Sequence, residues 1–210
     1  MLLTNVERAL VLSPHPDDAE LGAGGTIAKL IEARVAVRIV HFSLCEHLGA
    51  ESSKLIREAD DSATTLGITA QHDLKFHPFR ARHFHADRQL VLDALIGYRD
   101  AFEPELVLFP SARDDHQDHT VIAEEATRAF KHVTCLGYEA PWNNRGVSTD
   151  LFVRLERRHV QKKADALACY QTQKHRRYMD PEFTWALARV RGVQAGGGFA
   201  EAFEVVRAFS

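Results

Sequence analysis

Two short clusters hold the residue types that do chemistry: His15-Pro16-Asp17-Asp18, and Asp114-Asp115-His116-Gln117-Asp118-His119. In the first, an imidazole and a carboxylate three residues apart in a tight turn can point at one cation, and Pro16 restricts the backbone that aims them. Together the clusters offer two or three imidazoles, several carboxylates and no thiolate. Such a mixed nitrogen and oxygen set, with a position left open, suits a catalytic divalent cation better than a structural one, which usually closes with Cys. A surplus carboxylate can then take a proton from water as it attacks a carbonyl carbon, so hydrolysis of an amide or ester is the natural reaction. Each cluster also has a bland reading. His116 with His119 could be a solvated loop in a chain with 12 His, and Pro-Asp-Asp could be helix-capping chemistry with Asp18 as the N-cap.

Placement decides between these readings. Ala9 to Leu12 is a short apolar run closed by Ser13-Pro14, and Gly22, Gly24 and Gly25 precede a helical pattern over Thr26 to Ala33. Val35 to Phe42 reads as a second strand, Ser52 to Leu66 as a helix capped by Gly67, and His72 to Phe76 as a weaker third strand. Arg88 to Phe102 is helical, Glu105 to Pro110 is a buried strand, Thr120 to Lys131 a helix and Val133 to Tyr138 a strand. Leu151 to Leu155, Arg157 to Tyr170, Pro181 to Val193 and Phe203 to Val206 read as strand, helix, helix and strand, with a Gly196-Gly197-Gly198 turn before the last. This alternation predicts an α/β fold: a Rossmann-like, doubly wound, mostly parallel sheet with helices on both faces, in a single domain over residues 1–210. Both clusters follow strands. With the strands ordered 3-2-1-4-5, the first and fourth are neighbours at the switch point, and two clusters roughly a hundred residues apart face each other across one crevice.

Composition narrows the function further. A chain of 210 residues with 26 Lys+Arg against 29 Asp+Glu, net −3, has no charge block suited to nucleic acid or a membrane surface. Apolar runs such as Leu106 to Pro110 are far short of the ~20 residues that span a bilayer, and no signal-peptide pattern opens the chain, so a cytoplasmic location is expected. Cys45, Cys135 and Cys169 are odd in number and widely spaced, which argues for buried thiols. The glycines after the first strand do not make a dinucleotide fingerprint, because no acidic residue ends the second strand at Val40-His41-Phe42-Ser43.

At these residues the sequence resembles the LmbE-like, or PIG-L, family of zinc-dependent N-deacetylases, marked by HPDD followed by a Gly-rich turn into a helix and a downstream HxDH. The likeness extends to Glu58, Ala63 and Leu66-Gly67, to Lys163, Ala166-Leu167 and Gln171-Thr172-Gln173, and to Ala200-Glu201-Ala202-Phe203. It implies that His15, Asp18 and His119 hold Zn²⁺, ferrous iron being the other metal this set accepts, with Asp17 as general base toward water on the metal. His116 would polarise the carbonyl or its oxyanion and could protonate the leaving amine, and Asp118 would orient an imidazole. The implied substrate is an N-acetylglucosamine-type amino sugar or conjugate; the alternatives are another N-acyl biosynthetic intermediate such as a sugar nucleotide, or a non-catalytic binding homologue. Family members are often homo-oligomers, but no stretch here marks an interface.

The sequence departs from the family at two places. Ala19 stands where an acidic residue often follows HPDD, with Glu20 one later, and Leu55 replaces an Arg that meets substrate in some members, with Lys54 and Arg57 nearby. A polar loop with Arg80, Arg82, His83 and His85 could line the pocket rim and suit a phosphate or carboxylate. Phe79, Phe84, Trp142 and Trp185 could stack on a sugar face or belong to the core.

Overall fold

A computed structural model describes residues 6–68, 74–146 and 148–209. Its strands are β1 (Arg8–Ser13), β2 (Ala36–His41), β3 (Leu74–Phe76), β4 (Leu106–Pro110), β5 (Thr134–Tyr138), β6 (Leu151–Leu155) and β7 (Phe199–Arg207). The α-helices are α1 (Asp18–Glu32), α2 (Ala50–Leu66), α3 (Arg88–Phe102), α4 (Gln117–Ala129), α5 (Arg157–Ala168) and α6 (Pro181–Gln194). All seven strands lie in one sheet, ordered β3-β2-β1-β4-β5-β7-β6. The first five are mutually parallel, and β7 runs antiparallel to both β5 and β6.

A parallel strand buried on both faces must be apolar at every position, and β1 shows why. Ala9 and Val11 feed a core with Ala23 and Ile27 of α1 and Val160 of α5, while Leu10 and Leu12 feed a second core with Leu95 of α3 and Ile122 of α4. Because β1 pairs with both β2 and β4, the chain leaves the carboxyl ends of two neighbouring strands into helices on opposite faces. That is the switch-point crevice.

Two helices start earlier than their hydrophobic pattern indicates. Gly22, Gly24 and Gly25 lie inside α1 rather than before it, because the helix must approach its neighbours closely. A Cβ on Gly22 would sit 2.1 Å from the Tyr138 ring and one on Gly25 2.4 Å from Leu155. Glu201 of β7 accepts from the Gly25 and Thr26 N–H groups at 2.9 and 2.7 Å and pairs with Lys163 at 2.7 Å, tying together the stretches at both ends of the chain. Helix α4 likewise begins at Gln117, so the HxDH residues occupy its cap and first turn. His72 and Asp73 of the third strand's expected span lie outside the described residues. Of the cysteines, Cys45 and Cys135 are buried, but Cys169 is only half-buried, since it sits just past the end of α5. No helix among the described residues is long and apolar enough to cross a membrane.

Candidate active site

The turn after β1 is built around its own polar atoms. Ser13 Oγ donates to the His15 carbonyl at 2.6 Å and accepts from the Ala19 N–H at 3.1 Å, while the His15 N–H donates to Asp18 Oδ2 at 2.9 Å. Asp17, not Asp18, is the N-cap of α1, and it holds a left-handed φ of 97° without a capping hydrogen bond from its side chain. The capping reading of Asp18 therefore fails: Asp18 is the first helical residue, and its carboxylate points to imidazoles. Its Oδ2 lies 3.1 Å from His15 Nδ1 and 3.1 Å from His119 Nε2.

Behind each of these imidazoles stands a carboxylate that fixes its tautomer. His15 Nε2 donates to Asp118 Oδ2 at 3.0 Å, and His119 Nδ1 donates to Asp114 Oδ2 at 2.8 Å. His15 Nδ1 and His119 Nε2 are thereby turned toward Asp18. Ligands about 2.0–2.1 Å from a tetrahedral cation lie about 3.3 Å apart, so each of these two nitrogens stands from Asp18 Oδ2 at the spacing that two ligands of one cation have. His15, His116 and His119 also offer ring nitrogens within 4.8 Å of one another, a second set able to hold a metal. His116 differs from the other two, however. It is the N-cap of α4, and its Nδ1 accepts from the Asp118 N–H at 3.2 Å, which places the proton of the neutral ring on Nε2.

The electrostatics follow from burial and these contacts. Burial pushes the Asp17 carboxyl well up, the Asp18 charge adds to this, and Arg176 opposes it. Burial works the same way on Asp18, but His119 and His15 overcome it and hold that carboxyl well below the usual range. Against the cost of burial, Asp18 and Asp114 raise His119 to about 10. His116, desolvated and beside two other imidazoles, is pushed down to about 4 and stays neutral. A site that drives protons onto two of its imidazoles is one whose field attracts a cation.

These groups open into a cleft of about 230 Å³, lined on one side by His15, Asp17, Asp18, His116 and His119. Asp118 lies behind it, fully buried, and also accepts from the Arg82 N–H at 2.6 Å. Of the polar loop after β3 only Arg82 reaches the cleft, not Arg80, His83 or His85. Leu55 lines it, whereas Lys54 and Arg57 do not. Glu20 turns away into the core, accepting from Ser62 Oγ and the Tyr170 hydroxyl at 2.9 Å each. Trp142 lines the cleft and stacks on Tyr178 at 4.2 Å; Phe84 is core, and Trp185 packs on Phe199. Sequence reasoning assigned no role to Asp114 or Arg176. Nothing in the spacing separates Asp114 from Asp115, which pairs with Arg145 at the surface.

Residues 10–130, which include both clusters, match the profile of the family described as "PIG-L: GlcNAc-PI de-N-acetylase". The chain belongs to the PIG-L family. Within it, the chain is similar to a diacetylchitobiose deacetylase of Thermococcus kodakarensis, 26% identical over 195 residues, covering 84% of this chain and 64% of that protein. It thus spans somewhat less than two thirds of that relative. Among solved structures it superposes on the 4-carboxy-2-hydroxymuconate hydratase of Pseudomonas putida with a TM-score of 0.81 at 23% identity, covering 97% of this chain and 98% of the other. The N,N'-diacetylchitobiose deacetylase of Pyrococcus horikoshii gives a TM-score of 0.77 at 17% identity, covering 98% and 85%. These solved structures share the α/β fold across nearly the whole chain.

Proposed function

We propose that this PIG-L protein is a metal-dependent N-deacetylase of a small N-acetylglucosamine-type amino sugar or conjugate. The observation that carries the reading is the convergence of His15 Nδ1, His119 Nε2 and Asp18 Oδ2 beside the Asp17 carboxyl, which makes no side-chain hydrogen bond among the described residues. His15, Asp18 and His119 hold the cation, with Asp118 and Asp114 orienting the two imidazoles. A divalent cation there, zinc by its mixed donor set or ferrous iron, supplies Lewis acidity toward the carbonyl and makes water more acidic.

The chain's own residues do the rest. Asp17, unbonded and facing the cleft, accepts a proton from water as the water oxygen bonds to the acetyl carbon. His116 donates its Nε2–H to the carbonyl oxygen as negative charge develops on it. When the C–N bond breaks, the proton held on Asp17 passes to the departing nitrogen, leaving acetate and an amine. The free thiols of Cys45, Cys135 and Cys169 suit a reducing compartment, in keeping with a cytoplasmic enzyme.

The test is acetate release from N-acetylglucosamine and its conjugates by protein of known metal content, before and after chelation. Release should require about one cation per chain, and Asp17→Asn should keep the cation and lose turnover by at least ~10²-fold. A fully loaded protein that releases acetate from none of them would refute the reading. The near-complete mutual coverage with the muconate hydratase favours one second reading: addition of water to a carbon–carbon double bond by the same base and donor. Hydration of a carboxylated diene with no acetate release would establish it.

A further inference from the structure

We propose that this cleft selects a substrate bearing an anionic group, a carboxylate or phosphate, and that Arg82 and Arg176 hold that group. The inference deepens the deacetylase reading by naming the charge of its substrate. Both arginines line the cleft that the cation ligands open into. They reach it from separate segments, Arg82 from the loop before α3 and Arg176 from the segment between α5 and α6.

Among the described residues, neither guanidinium lies within ion-pair distance of a carboxylate. Arg88, Arg128, Arg145, Arg158 and Arg191 each meet an Asp or Glu within ion-pair distance. Among the described residues, Arg82 has no side-chain partner, and the Arg176 guanidinium donates to the Tyr178 hydroxyl, its charge acting on Asp17 and Asp18 across the cleft without an ion-pair contact to either. The position of Arg82 is also built by the site itself. Its backbone holds a left-handed φ of 69°, with its N–H donating to Asp118 and its carbonyl accepting from the Gln117 side chain. Two residues of the HxDH motif thus clamp the backbone that carries one cation, and a strained backbone held in this way is a mark of a functional position.

The charge continues beyond the cleft. Arg176 also lines a second, shallower concavity of about 540 Å³, together with Lys174, Arg177, His175 and a single carboxylate, Asp180. In a chain of net charge −3 this is a local concentration of cations against the global sign. An uncharged sugar gives these groups nothing to neutralise. A carboxylate or phosphate accepts planar paired hydrogen bonds from guanidinium, and salt screens such an exposed contact.

Binding of amine products tests the inference without turnover. The zinc-loaded protein is titrated with glucosamine, glucosamine 1-phosphate, glucosamine 6-phosphate, muramic acid and inorganic phosphate, at low and high salt. At least one anionic amine should bind about 10- to 100-fold more tightly than glucosamine, and added salt should erode that advantage. The two phosphates against muramic acid distinguish phosphate from carboxylate. Arg82→Gln and Arg176→Gln should each cut the anionic preference about tenfold, and Arg176→Lys should restore part of it. A preference that survives in both folded Gln variants, or equal binding of charged and neutral amines, would overturn the proposal. So would inorganic phosphate gaining as much from the arginines as the amino-sugar phosphates do. The two readings fail separately. Acetate release from N-acetylglucosamine without any anionic preference leaves the deacetylase and removes the anion site; an arginine-dependent preference without acetate release from any N-acetyl sugar does the reverse.

Discussion

Two helical glycines should respond to the same substitution with opposite signs. Replacing a helical Gly by Ala gains about 1 kcal/mol from propensity alone. At Gly97 in α3 nothing lies within 4 Å of the added Cβ, so Gly97→Ala should gain that amount. At Gly22 in α1 the Cβ would lie 2.1, 2.5 and 2.8 Å from three atoms of the Tyr138 ring. The ring cannot simply turn aside: it is buried, and its hydroxyl donates to the Leu12 carbonyl at 2.9 Å. Overpacking costs about 1–3 kcal/mol, and leaving the buried carbonyl unpaired costs about 1–3 kcal/mol more. Net of the propensity gain, Gly22→Ala should lose about 1–5 kcal/mol. At roughly 2–4 °C per kcal/mol for a chain this size, scanning calorimetry should show a melting point lower by about 2–20 °C, and one about 2–4 °C higher for Gly97→Ala. Leu12 lies three residues before His15, so Gly22→Ala should also weaken cation binding in a zinc titration of the folded protein. A Gly22→Ala protein melting at or above the parent would refute the packing argument.

Three further outcomes follow from the contacts around the site and the surface. Asp118→Asn and Asp114→Asn should each lower zinc affinity about 10- to 100-fold with the circular dichroism unchanged, whereas Asp115→Asn, at the exposed Arg145 pair, should leave it unaltered; equal affinities in all three would reject the orienting roles. Glu32 accepts from Arg158 and His159, which hold its carboxyl down at about 2 against an ordinary 4.5. A depressed folded value stabilises above the unfolded one, so the melting-point deficit of Glu32→Gln should be full at pH 6 and close as pH falls from 4.5 toward 2; a deficit independent of pH would contradict this. Asp17→Gly should abolish turnover yet melt no lower than the parent, because it releases a left-handed φ that costs a non-glycine residue about 1–2 kcal/mol, against about 0.4–1 kcal/mol of added chain entropy.

The parts legible in the sequence are those set by local pattern. The apolar runs at Ala9 to Leu12 and Leu106 to Pro110 mark strands buried on both faces, and the polar clusters directly after them must lie at the strands' carboxyl ends. What was not legible depends on residues far away in the chain. Helix propensity puts Gly22, Gly24 and Gly25 outside a helix, and it is Tyr138, Lys163 and Leu155, more than a hundred residues on, that make glycine necessary inside one. Propensity likewise starts α4 at Thr120, but His116 caps the helix with its ring nitrogen, an uncommon cap chemistry. The choice of Asp114 over Asp115 as the partner of His119 is made by the turn itself. Asp114 Oδ1 accepts from the His116 N–H at 2.8 Å, which leaves Oδ2 for the imidazole and turns Asp115 outward.

Backbone strain points to the same region as the side-chain chemistry. Five described non-glycine residues hold a positive φ, and three of them, Asp17, Cys45 and Arg82, line the cleft. Each conformation costs energy that the surrounding structure must offset, and the offsets are visible at the two charged positions. The turn at Asp17 is closed by Ser13 and by Asp18, and the Arg82 backbone is held by Asp118 and Gln117. Asp118 is the common member. Through one carboxylate it fixes the His15 tautomer and the backbone that carries the Arg82 charge, so the position of the cation site and the position of the arginine are coupled. A substitution at Asp118 should therefore disturb both, and this coupling explains why a buried carboxylate outside the cleft belongs to the motif.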